Sequence, residues 1–442
     1  AFVAGHASSS VSIALGMARA RSMSGENYHV ISLIGDGAAT GGMAYEGLSN
    51  AAVSKEPLIV VLNDNALSID QNVGGMAKEK YWGIKRSYRK LLLKLPGGRY
   101  VYQFTHNIKD RIRRMLVPTT IFESMGFMYL GPVDGHDTEQ LITLFKIAKD
   151  MHCPVLIHAM TQKGKGYVYS EEHPKLFHGI GKFDPATGEP LKPVPTFSEV
   201  FGNTMISLAD ANPQICAITA AMPGGTGLLD FKHKYPDRLF DVGIAEEHAV
   251  SMAGGLAKQG MRPVVAIYST FLQRSYDMIL QDICILNLHT VFAIDRAGLV
   301  GSDGETHQGV FDYSYLSAMP NMHVMAPKNK WELSDMMKFA VQHKGPVAIR
   351  YPRGGCEYHE LSKTVFDGRN IRAKAGKDVD IWACGRMVKG AEEAVAKLAA
   401  KGIDAGIVEV ASVKPLDLSA LNVDDNQLLV TLEDNLLAGG FG

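Results

Sequence analysis

Short apolar segments alternate with longer helical segments along most of the 442-residue chain. The first two apolar segments are HVISLIG, which ends at Gly35, and LIVVLN over Leu58–Asn63, and a helical stretch of small residues over Gly41–Val53 separates them. Apolar, β-branched runs of this length are typical of buried parallel strands. The pattern predicts a β-α-β unit in which both strands end at the same edge of one sheet.

The same alternation continues along the chain and predicts an α/β protein with doubly wound parallel sheets. The segment KFDPATGEPLKPVP, which is rich in proline, glycine and charge, interrupts it and is the best domain boundary. A second change of character near Gly376 begins a third α/β domain. We predict an incomplete first domain, a linker, a second domain and an incomplete third domain, over residues 1–182, 183–195, 196–372 and 373–442.

Polar residues follow the first two predicted strands. Asp36 lies in Gly35-Asp36-Gly37 and Asn65 ends Asn63-Asp64-Asn65, so the two side chains should face each other where open α/β sheets bind ligands. A carboxylate and an amide oxygen suit Mg²⁺ or Ca²⁺, and Mg²⁺ keeps positions open for phosphate oxygens. The glycines and the helix start that follow suit a phosphate group. The motif indicates a metal-bridged diphosphate, and an ordinary strand-turn-helix is the alternative.

Composition and charge argue against several kinds of partner and structure. The chain is 46% hydrophobic and 21% charged with a net charge of −1, which favours neither a nucleic acid nor a membrane surface as partner. Residues 78–114 are basic, with twelve Lys or Arg and two acidic residues, and a solvated excursion explains them better than a nucleic-acid patch. No apolar run reaches membrane-spanning length. Five cysteines without a CxxC motif indicate reduced thiols and a cytoplasmic location.

The GDG and NDN motifs resemble the fingerprint of thiamine diphosphate enzymes. Further motifs narrow the resemblance to the transketolase-like 1-deoxy-D-xylulose-5-phosphate synthase family, namely GHASSS at 5–10, KGKGY at 163–167, FHG at 177–179, AEEH at 245–248 and YSTFLQR at 268–274. This resemblance covers nearly the whole chain and implies a thiamine diphosphate-binding fold, bound thiamine diphosphate and Mg²⁺, and a homodimer. It also implies that pyruvate and D-glyceraldehyde 3-phosphate are joined with loss of carbon dioxide, for isoprenoid, thiamine and pyridoxal biosynthesis.

The resemblance further implies roles for single residues. Glu246 is expected to hydrogen-bond the aminopyrimidine ring of the cofactor, although simple helix capping is the alternative. Arg296 and Arg353 both follow predicted strands and can converge on one phosphate. The implied catalytic residues are Glu246, His6, His178 and His307. The implied cofactor-binding residues are Gly5, His6, Ala7, Asp36, Gly37, Ala38, Asn65, Tyr167, Glu246 and Phe271, and the implied metal ligands are Asp36, Asn65 and Leu67. The implied substrate-binding residues are Tyr268, Arg274, Arg296, Asp303, His307 and Arg353.

Two other functions stay open at this point. Ketol transfer of the transketolase type is the nearest alternative, and carbon dioxide release from pyruvate would separate the two reactions. His248 favours the synthase, because transketolases have asparagine there. A non-catalytic cofactor-binding subunit is the second alternative, and the presence of Asp36, Asn65 and Glu246 argues against it. Both ends of the chain look cut, since relatives of the family carry a further segment on each side.

Overall fold

The computed structural model describes residues 5–65, 120–174, 176–189, 195–355, 366–420 and 427–442. The basic segment 78–114 and Leu67 lie outside these residues, so the predictions made for them stay predictions. Backbone contacts divide the chain into two compact units, Ala1–Ile180 and Gly181–Gly442, and each unit is described by itself. The predicted domain limits also stay predictions.

The first unit is built around a parallel sheet. Its strands are Ile31–Gly35 (β1), Ile59–Asp64 (β2), Met128–Asp134 (β3) and Val155–Met160 (β4). They lie in the order β1-β2-β4-β3 and all pair in parallel. Gly35 is opposite Asn63 in the register of β1 and β2, so the predicted β-α-β unit is confirmed.

The first unit also contains helices, of which the longer ones pack on the sheet through small and apolar residues. They lie over Ser10–Ser24, Asp36–Ala39, Gly42–Ser54, Ile121–Met125, Thr138–Lys149 and Val168–Glu172, with a 3-10 turn at Leu176–His178. Val11 and Leu48 are buried in the core that the first two long helices form against the sheet. Gly47 permits this close approach, because a methyl group there would overlap the Ser12 hydroxyl.

One feature of the first sheet differs from the expectation. The sequence predicts burial of β1 on both faces, but Ile31 is 50% and Leu33 68% exposed. The reason is position, because β1 is an edge strand of the described sheet. The helix Thr138–Lys149 covers the same face further along, where Ile59 and Val61 are buried. The prediction is therefore right for β2 and wrong for β1.

The second unit contains a larger sheet. Its strands are Ile215–Thr219 (β5), Leu239–Asp241 (β6), Arg262–Tyr268 (β7), Val291–Asp295 (β8), His323–Met325 (β9), Val347–Arg350 (β10) and Ser412–Lys414 (β14). The order is β14-β9-β10-β8-β7-β5-β6, and every pair is parallel except β14 with β9. The predicted parallel strands are present, and β14 adds an antiparallel edge that the sequence did not predict.

Helices flank this larger sheet on both faces and enclose a core. The α-helices lie over Phe197–Ala211, Leu229–Lys234, Glu246–Lys258, Ser269–Leu272, Tyr276–Met278, Asp312–Ala318 and Lys330–Ala340. A π-helix lies over Ile279–Cys284, and 3-10 turns lie over Pro236–Arg238, Gln273–Ser275 and Gly301–Asp303. Phe201 and Tyr351 are fully buried between these layers, with ring centroids 6.0 Å apart.

A smaller sheet completes the second unit. Its strands are Ile371–Lys374 (β11), Val379–Cys384 (β12), Ala405–Val410 (β13) and Leu428–Leu432 (β15), in the order β11-β13-β12-β15. The helix Met387–Ala399 packs on it through Val388 and Val395. Only Ala411 separates β13 of this sheet from β14 of the larger one. The chain therefore links the two sheets within one compact unit.

Candidate active site

The carboxyl edge of the first sheet brings together the two predicted metal ligands. Asp36 follows β1 directly and is only 6% exposed, while Asn65 follows β2. Because Gly35 pairs with Asn63, both residues leave the sheet at neighbouring positions of the same edge. The donor set is one carboxylate and one amide oxygen, which is the chemistry that Mg²⁺ takes from a protein when phosphate and water complete its shell.

The loop that carries His6 is bound beside this edge. The Ser8 hydroxyl donates to the carbonyl oxygen of Ala38 at 2.9 Å. Ser8 has a left-handed backbone, with φ at 78°, which directs the chain into the helix Ser10–Ser24. The hydrogen bond connects the GHASSS loop to the turn that carries Asp36. The predicted cofactor residues of these two motifs therefore lie next to each other.

Lys163 adds a positive charge to the first unit that the residue predictions did not include. Burial lowers the pKa of Lys163, and the charge of Asp36 opposes that shift. Burial also lowers the pKa of His178, and Lys163 lowers it further. The charge of Lys163 is thus coupled electrostatically to Asp36 and to His178. Tyr167, from the same KGKGY motif, packs edge-on against Phe177 with centroids 5.5 Å apart.

A second feature that the residue predictions missed is a chain of hydrogen bonds behind the metal-ligand edge. The imidazole of His158 lies 2.8 Å from the Asp64 carboxylate through Nε2 and 2.6 Å from the Tyr129 hydroxyl through Nδ1. His158 is 1% exposed, and burial raises the pKa of Tyr129 well above its ordinary range. Asp64 immediately precedes Asn65. Since the three residues are separated by up to 94 positions, no local motif signals their contact.

In the second unit, Glu246 begins the helix Glu246–Lys258 and is 3% exposed. Its Oε2 atom accepts no hydrogen bond, and the nearest guanidinium, that of Arg274, is 3.6 Å away. Burial raises the pKa of Glu246, and Arg274 opposes that shift. A helix cap would turn its carboxylate to backbone N–H groups. A backbone hydrogen bond at Glu246 itself also lowers the pKa, as a cap would, but the helix N-cap is Ala245 and the Oε2 atom accepts no hydrogen bond.

An aromatic group surrounds the predicted cofactor-packing residue. The ring of Phe271 stacks on Tyr268 with centroids 5.7 Å apart, and the imidazole of His307 meets it edge-on at 5.4 Å. Tyr268 ends β7 and is buried, while Phe271 is half-buried in the turn that follows. Burial lowers the pKa of His307, which favours its neutral form. Phe271 thus offers one partly open aromatic surface beside a neutral imidazole.

The two predicted phosphate-binding arginines converge on one carboxylate. Arg296 Nε is 3.3 Å from Asp303, and the Arg353 guanidinium pairs with the other oxygen of the same group. The Arg296 guanidinium also stacks 3.6 Å above the Tyr268 ring and donates to the Gly225 carbonyl at 3.0 Å. Burial lowers the pKa of Arg353, and Arg296 lowers it further, as expected for two adjacent cations. A phosphate, like this carboxylate, presents oxygen atoms that guanidinium groups can bind through paired hydrogen bonds.

The loop that carries Asp303 and His307 is closed at its base. Gly298 and Gly309 exchange two backbone hydrogen bonds of 2.6 and 2.8 Å. The Gln308 side chain crosses the loop, accepting from the Val300 amide at 2.7 Å and donating to the Gly304 carbonyl at 2.6 Å. The loop is therefore a defined structure, and it presents both predicted substrate residues on one side of the larger sheet.

Within the described residues, no group of three or more His, Cys, Asp or Glu side chains forms a metal cluster. No helix of the described chain is long and apolar enough to cross a membrane. The described cysteines, Cys153, Cys216, Cys284 and Cys384, are free thiols.

Three family models match the chain in sequence order. The model described as 1-deoxy-D-xylulose-5-phosphate synthase matches residues 1–161. The pyrimidine-binding domain of transketolase matches residues 194–357, and the transketolase C-terminal domain matches residues 368–442. The first match holds the Asp36–Asn65 edge, and the second holds Glu246 and both arginines.

Known proteins resemble the chain over its whole length. It is 50% identical to the 1-deoxy-D-xylulose-5-phosphate synthase of Pelotomaculum thermopropionicum, covering 100% of the chain and 72% of that protein. It is 49% identical to the synthase of the same name from Clostridium acetobutylicum, covering 100% of the chain and 74% of that protein. Among solved structures, an inactive β4 tetramer of a split-gene transketolase is 31% identical, with a TM-score of 0.51 over 57% of this chain and 83% of its own.

Proposed function

The chain belongs to the 1-deoxy-D-xylulose-5-phosphate synthase family, and we propose that the residues described above carry out that family's reaction. The enzyme is a transketolase-type transferase that depends on thiamine diphosphate and a divalent metal. It condenses pyruvate with D-glyceraldehyde 3-phosphate and releases carbon dioxide and 1-deoxy-D-xylulose 5-phosphate. Thiamine diphosphate, when bound, supplies the electron sink that this decarboxylation requires.

The residues of the first unit fit the metal and the diphosphate. Asp36 and Asn65 would give Mg²⁺ two hard oxygen ligands from adjacent strand ends. His6 and Gly5 would lie beside the diphosphate, since the Ser8–Ala38 hydrogen bond holds their loop against the turn of Asp36. Lys163 adds positive charge beside Asp36, which suits an anion held through a metal. Leu67 stays a predicted backbone ligand, outside the described residues.

In the second unit, Glu246 carries the proposal. A ring nitrogen of an aminopyrimidine needs a hydrogen-bond donor from a carboxyl group, and burial raises the pKa of Glu246, which favours the protonated form that can donate. Its Oε2 atom is buried and accepts no hydrogen bond within the described structure. The Arg274 guanidinium lies at ion-pair distance, 3.6 Å, but a buried oxygen without a hydrogen bond costs free energy, and a ligand nitrogen at this place would reduce that cost. Phe271 offers the ring surface on which the aminopyrimidine would pack.

The arginine pair supports the phosphorylated substrate. Arg296 and Arg353 already share one carboxylate acceptor, Asp303, so their guanidinium groups are spaced for a single anion. Stacking on Tyr268 and the hydrogen bond to Gly225 fix the plane of Arg296. A fixed, planar donor pair binds phosphate more strongly than mobile surface charges do. We assign the phosphate of glyceraldehyde 3-phosphate to this pair and the neutral imidazole of His307 to the reacting end of the substrates.

Ketol transfer of the transketolase type remains the second candidate, because two of the matched family models are named for transketolase. His248 and the match to the synthase model favour the synthase. We also propose a homodimer in the cytoplasm, and the free thiols of the described cysteines support a reducing compartment. Sedimentation at several protein concentrations tests the dimer.

One assay tests the proposed function. The full-length protein, with Mg²⁺ and thiamine diphosphate, receives pyruvate and glyceraldehyde 3-phosphate, and both carbon dioxide and the phosphorylated product are measured. We expect equal amounts of the two products and none without the cofactor. A ketol donor such as a ketose phosphate serves as the comparison substrate. Product formation from the ketose phosphate, without carbon dioxide release from pyruvate, would mean that the enzyme is a transketolase.

A further inference from the structure

The smaller sheet of the second unit reaches the loop that carries Asp303 and His307. The contact is made by Asp434, which lies just beyond β15 and is 8% exposed. One oxygen of its carboxylate, Oδ1, accepts a hydrogen bond from the Leu299 amide at 3.1 Å. The other, Oδ2, pairs with Arg386 Nε at 2.6 Å. A single buried carboxylate thus connects the base of the loop to the helix side of the smaller sheet.

Arg386 and Arg350 reinforce this contact from two directions. Arg386 donates through Nη2 to the Leu299 carbonyl at 3.2 Å, so both backbone groups of Leu299 have partners from the smaller sheet. Arg350, which is buried at the end of β10, donates through Nη2 to the Asp434 carbonyl at 2.9 Å and to the Gly309 carbonyl at 3.1 Å. Asp434 is therefore fixed at its side chain and its backbone, and the two ends of the loop, Leu299 and Gly309, belong to the same network.

Close packing against Asp434 also restricts which residue can stand at the base of the loop. Gly298 has φ at 77°, which favours glycine, and a methyl group at this position would overlap the Asp434 carboxylate. The Leu436 amide donates to the Val310 carbonyl at 3.1 Å, just beyond the other end of the loop. The segment after β15 thus contacts the loop base on both sides. None of these contacts involves Asp303 or His307 themselves.

We propose that Asp434 and Arg386 are positioning residues, which hold the Gly298–Gly309 loop in the conformation that presents Asp303 and His307 to the substrates. We call the pair the loop clasp. This inference rests on the proposed function for the roles of Asp303 and His307, but the clasp itself is a structural statement. It gives the third matched domain a part in the reaction through contacts at the base of the loop.

Hydrogen–deuterium exchange of the full-length protein tests the clasp without any reaction. In Asp434→Ala, we expect the peptide over residues 298–309 to exchange about tenfold faster or more, because the Leu299 amide loses a charge-assisted acceptor. Asp434→Asn keeps an oxygen for that amide but loses the ion pair, so its effect should be smaller. Arg386→Ala removes the same ion pair and also the hydrogen bond to the Leu299 carbonyl, so its effect should be at least that of Asp434→Asn. Combining Arg386→Ala with Asp434→Ala should give less than the sum of the two single effects, since each single variant already loses the shared ion pair.

Arg372→Lys is the matched control. Arg372 binds Asp380 in a bidentate pair of 2.8 and 2.9 Å within the smaller sheet, and lysine cannot reproduce that geometry. This variant should lower the melting temperature and leave exchange of residues 298–309 unchanged. If Arg372→Lys accelerates loop exchange as much as the clasp variants do, or if Asp434→Asn and Arg386→Ala leave it at the wild-type rate, the clasp is not a positioning device.

Kinetics separate this inference from the proposed function. Clasp variants should raise KM for glyceraldehyde 3-phosphate by about tenfold, while cofactor affinity stays at the wild-type value, because Glu246 and Phe271 lie outside the clasp. Absence of wild-type turnover would reject the proposed function and leave the exchange result intact. Normal turnover in the wild type, with wild-type KM and loop exchange in all clasp variants, would reject the clasp alone. A variant that fails to fold is replaced by Asp434→Asn, which preserves the shape of the side chain.

Discussion

Asp36 and Glu246 occupy the same local position in the two units and are prepared for opposite chemistry. Each is the first residue of a helix that follows a strand, and each is less than a tenth exposed. Asp36 is proposed as a metal ligand, which must be ionised, and its charge is coupled to that of Lys163. Glu246 has a raised pKa because burial disfavours its charge. Under the proposed roles, neighbours, and not position in the fold, decide whether a buried carboxyl group serves as an anion or as an acid.

The largest expected effect is the loss of cofactor binding when the carboxylate of Asp36 is removed. Asp36→Ala should weaken Mg²⁺-dependent binding of thiamine diphosphate by roughly a hundredfold or more, because loss of one partner from a buried charge pair costs about 3–5 kcal/mol. Calorimetry with cofactor and metal measures it. Asp150→Ala, which removes an exposed carboxylate at the end of the helix Thr138–Lys149, is the control. Unchanged affinity in Asp36→Ala would reject the metal assignment.

The next effect belongs to the second unit. Arg296→Ala and Arg353→Ala should each raise KM for glyceraldehyde 3-phosphate by roughly tenfold to a hundredfold and change KM for pyruvate little, since a charge-assisted hydrogen bond contributes about 1.5–3 kcal/mol. Arg369→Ala, which removes an exposed arginine of the same unit, should behave like the wild type. Steady-state kinetics with each substrate varied in turn provides the values. Equal effects on both substrates would mean that the two arginines are structural.

A smaller effect is expected from the hydrogen bond between Tyr129 and His158, which lies behind the metal-ligand edge. Tyr129→Phe removes the hydroxyl that lies 2.6 Å from His158 Nδ1 and leaves that buried nitrogen without its partner. We expect the free energy of unfolding to fall by about 1–3 kcal/mol. Denaturant titration followed by a probe in the first unit measures it. Tyr45→Phe, which changes an exposed tyrosine of the same unit, is the control for loss of a tyrosine hydroxyl. Equal stability losses in the two variants would mean that the hydrogen bond to His158 contributes nothing particular to stability.

The smallest effect is the part of the pH dependence of stability that Glu246 contributes. Its raised pKa means that the folded state keeps a proton which the unfolded chain has already lost, so the unfolding free energy falls as pH rises between the two pKa values. That contribution is complete below the ordinary value of 4.5 and is lost as pH passes the folded value. Glu246→Gln lacks it, so the melting temperature of the variant relative to the wild type should rise from pH 4 to pH 8. Parallel curves would show that Glu246 is ionised in the folded protein.

Sequence predicts well the features that depend on strand order. The Asp36–Asn65 edge follows from one β-α-β unit, because parallel register places both residues without any knowledge of side-chain contacts. The convergence of Arg296 and Arg353 follows from strand ends in the same way. The resemblance, and not the pattern, supplied the roles of Glu246, His6 and His178.

Features that depend on contacts between distant segments could not be predicted from the sequence. His158 reads as one more residue of an apolar strand, and only the fold brings it between Asp64 and Tyr129. Asp434 reads as the end of the last strand, and its contact with Leu299 spans 135 positions. The exposure of Leu33 was also missed, because the hydrophobic pattern is the same for a central strand and an edge strand.

The most direct test of the account is proton–deuterium exchange at the thiazolium carbon of bound thiamine diphosphate, compared in the wild type, Glu246→Gln and Glu247→Gln. Glu247 neighbours Glu246 on the same helix turn and serves as the matched control. We expect Glu246→Gln to bind the cofactor with wild-type affinity and to slow the exchange by about 10²–10⁴-fold, while Glu247→Gln stays near the wild-type rate. Wild-type exchange in Glu246→Gln would contradict the central claim that this buried acid activates the cofactor.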